Sequence, residues 1–265
     1  MDLSTIVKDS AGYAKEALIG KWVRWIIFII LSLPLALLRF VFDPKKMMIG
    51  SHMDWSAFPW GEVAVIIGVG ILLSFFLSGY LVRIYRGTVP APDFNAWGEL
   101  FINGIKLDIV WLAWLIPVFV VLVLLIGIAF ATMMPGSGAG MAGVSLILAI
   151  IMMILVVIVV VFGMMGAVRF ARTGSMREGI RLSAISATIR SMGWLSYILA
   201  LIILLVLGVI FWIITAVLEL IPYIGWIFVL IIGPLFSIFA ARYITLVYNE
   251  GEKQQVPAPA EVPAQ

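Results

Sequence analysis

The chain has 265 residues, of which 64% are hydrophobic and only 12% charged, with a net charge of +3, one histidine and no cysteine. A charged fraction so far below the soluble average of roughly 25% leaves too few polar side chains to cover a water-exposed globule. The missing thiols exclude disulfides, thiolate metal sites and cysteine nucleophiles, and the single imidazole, His52, excludes histidine-rich metal centres.

Several apolar runs exceed the roughly 18–20 residues needed to cross a bilayer. Backbone in hydrocarbon must satisfy its own hydrogen bonds, so these runs are predicted to be helices and the fold to be all-α and polytopic. In chain order, residues 2–20 are too polar to span. Ile6, Tyr13 and Ala17 follow helical spacing while Lys8, Asp9, Lys15 and Glu16 fall elsewhere, which predicts a helix lying in the membrane surface with its apolar side down. The segment starts acidic and runs into a full-length apolar stretch, unlike a signal peptide.

A first span is expected over about 22–41, with Trp22 and Trp25 beside Lys21 and Arg24 at its start and Pro34 inside it. A loop over 42–61 holds Lys45, Lys46, His52 and Asp54. The second span, about 63–81, closes on Tyr80, Arg83, Tyr85 and Arg86, with Gly87 ending the helix. After the turn of Val89 to Asp93, Asn95 to Lys106 predicts a second surface helix, passing near Asp108 into a third span over about 109–133 with a kink at Pro117.

Pro135 to Gly140 is predicted to be a flexible turn, and a fourth span follows over about 144–166. Arg169 and Arg172 end it. A third surface helix is expected over about 176–192, with Leu182, Ile185, Ile189 and Met192 on one stripe and Arg177 and Arg181 one turn apart on another face. The fifth span covers about 195–218, a tight reversal follows from Glu219 to Trp226, and the sixth span reaches about 246. The tail 251–265, rich in Pro, Gln and Glu, is expected to be disordered and cytoplasmic.

Placing residues 1–21, 82–108, 167–194 and the tail on one side, with Arg24 and Arg242 at the inner ends of their spans, collects fourteen basic residues there and leaves Arg39, Lys45 and Lys46 on the other. The positive-inside rule then predicts a cytoplasmic-membrane protein with both termini in the cytoplasm. The same frame divides a single transmembrane domain, residues 1–250, into three tandem units, 1–87, 88–172 and 173–250, each a surface helix followed by two spans.

Tyr80, Arg83, Gly87, Pro92, Trp97-Gly98, Leu100-Phe101, Gly104, Arg177-Glu178-Gly179 and the Ile221 to Trp226 turn resemble the DUF4013 family of uncharacterised archaeal and bacterial membrane proteins, over Gly12 to Glu250. The resemblance implies a multi-span prokaryotic membrane protein and carries no functional residue across. The residues themselves offer no catalytic set: Glu62, Asp108, Glu178 and Glu219 form no helix-spaced pair of acids, and no cofactor or nucleic-acid site is expected. Spans almost free of charge argue against an ion path and leave a carrier of a lipid-like substrate as the alternative. Arg169, Arg172, Arg177, Arg181 and Arg190 form a basic belt expected to contact anionic lipid headgroups or a membrane partner, although orientation alone also accounts for such arginines. Gly163, Gly166, Ala167 and Gly208 are the small residues at which lateral association into a homo-oligomer is expected.

Overall fold

The structure is a computed structural model that describes residues 1–41, 48–49, 52–132 and 140–255. The described residues hold nine α-helices, α1 Leu3–Leu18, α2 Trp22–Val41, α3 Trp60–Tyr85, α4 Trp97–Thr132, α5 Gly140–Thr173, α6 Met176–Gly179, α7 Leu182–Met192, α8 Trp194–Glu219 and α9 Gly225–Gln255, and a 3-10 turn at Trp55–Ala57. A two-residue antiparallel ribbon pairs Met48 with Met53 and Ile49 with His52. The Asp43 to Lys46 part of the first loop, the Pro135 to Ala139 turn and the tail beyond Gln255 lie outside the described residues.

Six of these helices, α2, α3, α4, α5, α8 and α9, are long and apolar enough to cross a membrane. Their apolar surface points outward. In α5 the most apolar stretch is only 6% buried, the arrangement expected where hydrocarbon, not a protein core, is the solvent. The chain is therefore a multi-pass membrane protein.

The residues form two compact units. One contains residues 2–105 and 202–245. Here Asp2 caps α1, accepting from the Thr5 hydroxyl at 2.6 Å and from the amides of Thr5 and Ser4 at 3.2 and 3.0 Å, and these bonds, the Thr5 hydroxyl first, hold its carboxyl down to about 2. The apolar stripe of α1 packs inside this unit: Tyr13, Ala14, Ala17 and Leu18 are buried with Phe28 of α2, Tyr80 and Ile84 of α3, Leu100 of α4 and Ile238 and Ala241 of α9. The sequence reading turned that stripe toward lipid; protein covers it instead. Helices α3 and α4 meet at glycines, because a Cβ on Gly79 would overlap the Leu100 backbone and one on Gly104 the Phe75 carbonyl.

The other unit contains residues 106–201 and 246–265, with Met1. Its core joins Met165, Val168 and Phe170 of α5, Ile185, Ile189 and Met192 of α7, Tyr197 of α8 and Val247 and Tyr248 of α9, all buried. Tyr197 donates to the Val161 carbonyl at 2.6 Å. Gly166 abuts Gly179, whose carbonyl accepts the indole N–H of Trp114 at 3.1 Å.

Three boundaries differ from the expectation. Residues 97–132 are one continuous helix, so the predicted second surface helix is the first three turns of α4: Leu100 is buried, the rings of Trp97 and Phe101 lie against Phe76, and nothing breaks the ladder before Ile109. The third surface segment is two helices, α6 and α7, divided at Ile180 and Arg181. Helix α9 continues through Gly251 to Gln255, so the first five residues assigned to a disordered tail are helical. Ser191 of α7 bonds the Gly251 carbonyl at 2.8 Å, and Gly251 itself is buried against Thr188.

Candidate functional site

The connector from Arg169 to Met192 has five arginines against one acid, Glu178. It is built on the end of α5, where Gly174 takes a positive φ of 70° and reverses the chain into α6. Such a conformation costs an L-residue roughly 1–2 kcal/mol and suits glycine. Glu178 then returns toward α5. Its Oε2 accepts from Nε and Nη2 of Arg169 at 2.9 and 2.5 Å, while its Oε1 accepts from Nη1 of Arg181 at 3.0 Å. The hydrogen bonds from Arg169 and then Arg181 hold the Glu178 carboxyl below the usual carboxylate range.

The five predicted arginines divide by role. Arg169 is half-buried and latches α5 to α6. Arg172 is exposed and donates to Asn249 of α9 at 2.6 Å. Arg181 shares Glu178 but keeps much of its side chain in the open. Arg177 and Arg190 are exposed and have no side-chain partner among the described residues. Met176, Ile180 and Leu182, 39%, 45% and 52% exposed, stand among the arginines at 177 and 181. Arginine heads alternating with uncovered apolar groups are what a membrane interface accepts, since the guanidinium bonds phosphate while the apolar neighbours enter the acyl boundary.

The first connector uses its basic pair in the same way as a latch. Arg83 donates to the Asp93 carbonyl at 2.9 Å and to the Asn95 side chain at 2.6 Å, and Arg86 pairs with Glu99 at 2.9 Å. At the opposite end of the spans, Arg39 pairs with Glu219 at 3.3 Å.

A family model for proteins of unknown function, DUF4013, matches residues 63–220. The chain belongs to the DUF4013 family. These are uncharacterised prokaryotic proteins. The match runs from the start of α3 to the end of α8, narrower than the stretch from Gly12 to Glu250 over which the resemblance was expected. The whole connector lies inside the DUF4013 match; α1, α2 and α9 lie outside it. No curated protein and no solved structure matches this chain.

Other sequence-predicted residues are dispersed. Glu178 is held by two arginines and Glu219 by Arg39, while Glu62 is exposed in the first turn of α3. Among the described residues no three acids or histidines gather in metal-ligating reach. Ser74 and Ser237 bond carbonyls of their own helices, at Ile71 and Gly233. Gly163 and Gly166 face Trp111, Trp114 and Gly179 within the chain, and Gly208 faces Phe236. Sequence reasoning missed Arg24, a snorkelling residue by pattern, which is buried and pairs with Asp93.

Proposed function

We propose that this DUF4013 protein is a non-enzymatic membrane-interface protein that binds anionic lipid headgroups through Arg177, Arg181 and Arg190, with Arg172 at the edge of the patch and Arg169 serving as the latch that shapes it. The observation that carries this reading is the occurrence of exposed Arg177 and Arg190, without a side-chain partner among the described residues, together with exposed Met176, Ile180 and Leu182 on one connector. Each exposed basic residue near a charged leaflet contributes on the order of 1 kcal/mol, and guanidinium–phosphate hydrogen bonds add geometry to that attraction. The connector, α1 and the start of α4 lie at headgroup depth on the cytoplasmic side, following the distribution of basic residues. Three tandem units, 1–87, 88–172 and 173–250, are favoured by the shared latch: Arg83 and Arg169, each near the end of a unit's second long helix, both hold the stretch that opens the next.

An interaction role fits better than transport of polar solutes, because Ser74 and Ser237 are bonded within their own helices. Native mass spectrometry of the protein in mixed phosphatidylglycerol and phosphatidylcholine tests the reading. Wild type should retain the anionic lipid preferentially and Arg177→Gln/Arg190→Gln should lose that preference. Equal retention of the two lipids by wild type would reject it.

A further inference from the structure

A second locus, in the unit of residues 2–105 and 202–245, lies where α1 turns into α2. Gly20, with φ of 77°, makes the elbow, and a cavity of about 470 Å³ opens there, lined by Lys21, Trp22, Arg24, Asp93 and Phe94 among others. Its wall is charged with both signs. Arg24 is only 7% exposed; it donates to the Ala17 carbonyl at 2.6 Å and pairs with the Asp93 carboxylate, while its Nε is buried without an acceptor among the described residues. Asp93 keeps 76% of its side chain open. The guanidinium holds the Asp93 carboxyl below the usual carboxylate range, so it stays ionised at neutral pH.

Beside this fixed anion stand the exposed Lys21 ammonium and the opening turn of α2. The amides of Trp22, Val23 and Arg24 precede the bond from Trp25 N to Lys21 O at 3.1 Å, so they are the orphan donors of the helix start, where anions bind. A simple anion would gain from Lys21 and the amides but meet repulsion from Asp93. A cation would face the reverse. A group carrying both charges a few bonds apart satisfies both walls at once.

We propose that this cavity binds the headgroup of a zwitterionic membrane lipid bearing a phosphate and a primary ammonium, the phosphate against Lys21 and the α2 amides, the ammonium against Asp93. The source is a lipid because the cavity sits at the end of a membrane-length helix whose flanking side chains, Trp22, Val23 and Ile26, are 68%, 75% and 53% exposed, a surface on which acyl chains lie. A primary ammonium is favoured over a quaternary one because it donates charge-assisted hydrogen bonds to the carboxylate. Trp22, one of the residues lining the cavity, stacks on Trp25 at 5.8 Å.

The test uses the full chain in nanodiscs of phosphatidylethanolamine and phosphatidylcholine in equal amounts, with bound lipid counted by native mass spectrometry. Wild type should retain the ethanolamine lipid over the choline lipid by roughly tenfold. Asp93→Asn should bring the ratio to one, and Lys21→Gln, a surface change that leaves the Arg24 pair intact, should reduce the number of ethanolamine lipids retained. Arg177→Gln/Arg190→Gln should leave both unchanged, which separates this site from the connector. Equal retention by wild type, or retention unaffected by Lys21→Gln, would overturn the proposal. Displacement of the lipid by soluble glycerophosphoethanolamine at equal concentration would overturn the lipid source in favour of a water-soluble ligand.

Discussion

Arg169 places both Nε and Nη2 on one oxygen of Glu178, at 2.9 and 2.5 Å, and so ties the end of α5 to α6 across the Gly174 reversal. The ion pair also sets a pH dependence. Because the Glu178 carboxyl is held below its ordinary value of 4.5, its stabilising contribution is complete above that value and is lost as pH falls through the depressed one. The exchange protection factors of residues 175–181, which are free of the intrinsic slowing of amide exchange in acid, should therefore fall as wild type is acidified from neutral pH through the depressed Glu178 value. In Glu178→Gln the same amides should have lower protection factors at neutral pH and show little further change in protection on acidification.

The crossing of α3 and α4 depends on Gly79 and Gly104. A methyl group at Gly104 would strike the Phe75 carbonyl, and backbone cannot move aside as a flexible side chain does. Gly104→Ala should destabilise the protein by about 1–3 kcal/mol, the usual range for overpacking. Gly68→Ala, on the same α3 but with open space around the added carbon, should leave the melting temperature unchanged or slightly raised. Thermal unfolding in detergent compares the two.

The last turn of α9 is held by α7. Gly251 packs so closely on Thr188 that an added Cβ would come within 2.8 Å of the Thr188 carbonyl, and Ser191 bonds the Gly251 carbonyl. Gly251→Val should release residues 249–255, seen as loss of exchange protection there, with α5 protection retained. Ser191→Ala should give a smaller loss of the same kind, consistent with one hydrogen bond worth about 0.5–1.5 kcal/mol.

Tyr13 tests whether α1 belongs to the protein core. Its hydroxyl donates to the Thr88 carbonyl at 2.9 Å, its ring lies 4.7 Å beneath the Arg242 guanidinium, and burial pushes the phenol up to about 12. Tyr13→Phe keeps the ring and loses the hydrogen bond, so it should cost about 1 kcal/mol. Tyr13→Ala removes the ring as well and should cost about 3–5 kcal/mol and free α1 to protease.

The six long helices were legible because apolar length and flanking aromatic or basic residues are local properties; Trp22, Trp60, Trp97 and Trp194 each begin one of them. The glycine stop at Gly87 was legible for the same reason, a helix end followed by a residue free to take positive φ, whereas the like stop at Gly174 was not read from the sequence. The stripe of Ile6, Tyr13 and Ala17 was legible as a stripe but not in its destination, since lipid and a protein core ask for the same periodicity. The Arg24 to Asp93 pair joins residues 69 apart in the chain and leaves no local signal. In the connector, the sequence shows five arginines but not that Glu178 takes two of them, which is what separates latch from contact surface.

Contact between the connector and anionic lipid is measured by the relative association of spin-labelled phosphatidylglycerol and phosphatidylcholine with the protein in nanodiscs, followed by electron paramagnetic resonance at low and high salt. Contact between the connector arginines and anionic headgroups predicts a ratio above one at low ionic strength, falling toward one at about 1 M salt, where screening acts within roughly 3 Å. Arg177→Gln/Arg190→Gln should show the low ratio at both salts with unchanged thermal stability. A wild-type ratio of one at low salt, or a double variant with the wild-type ratio, would contradict it.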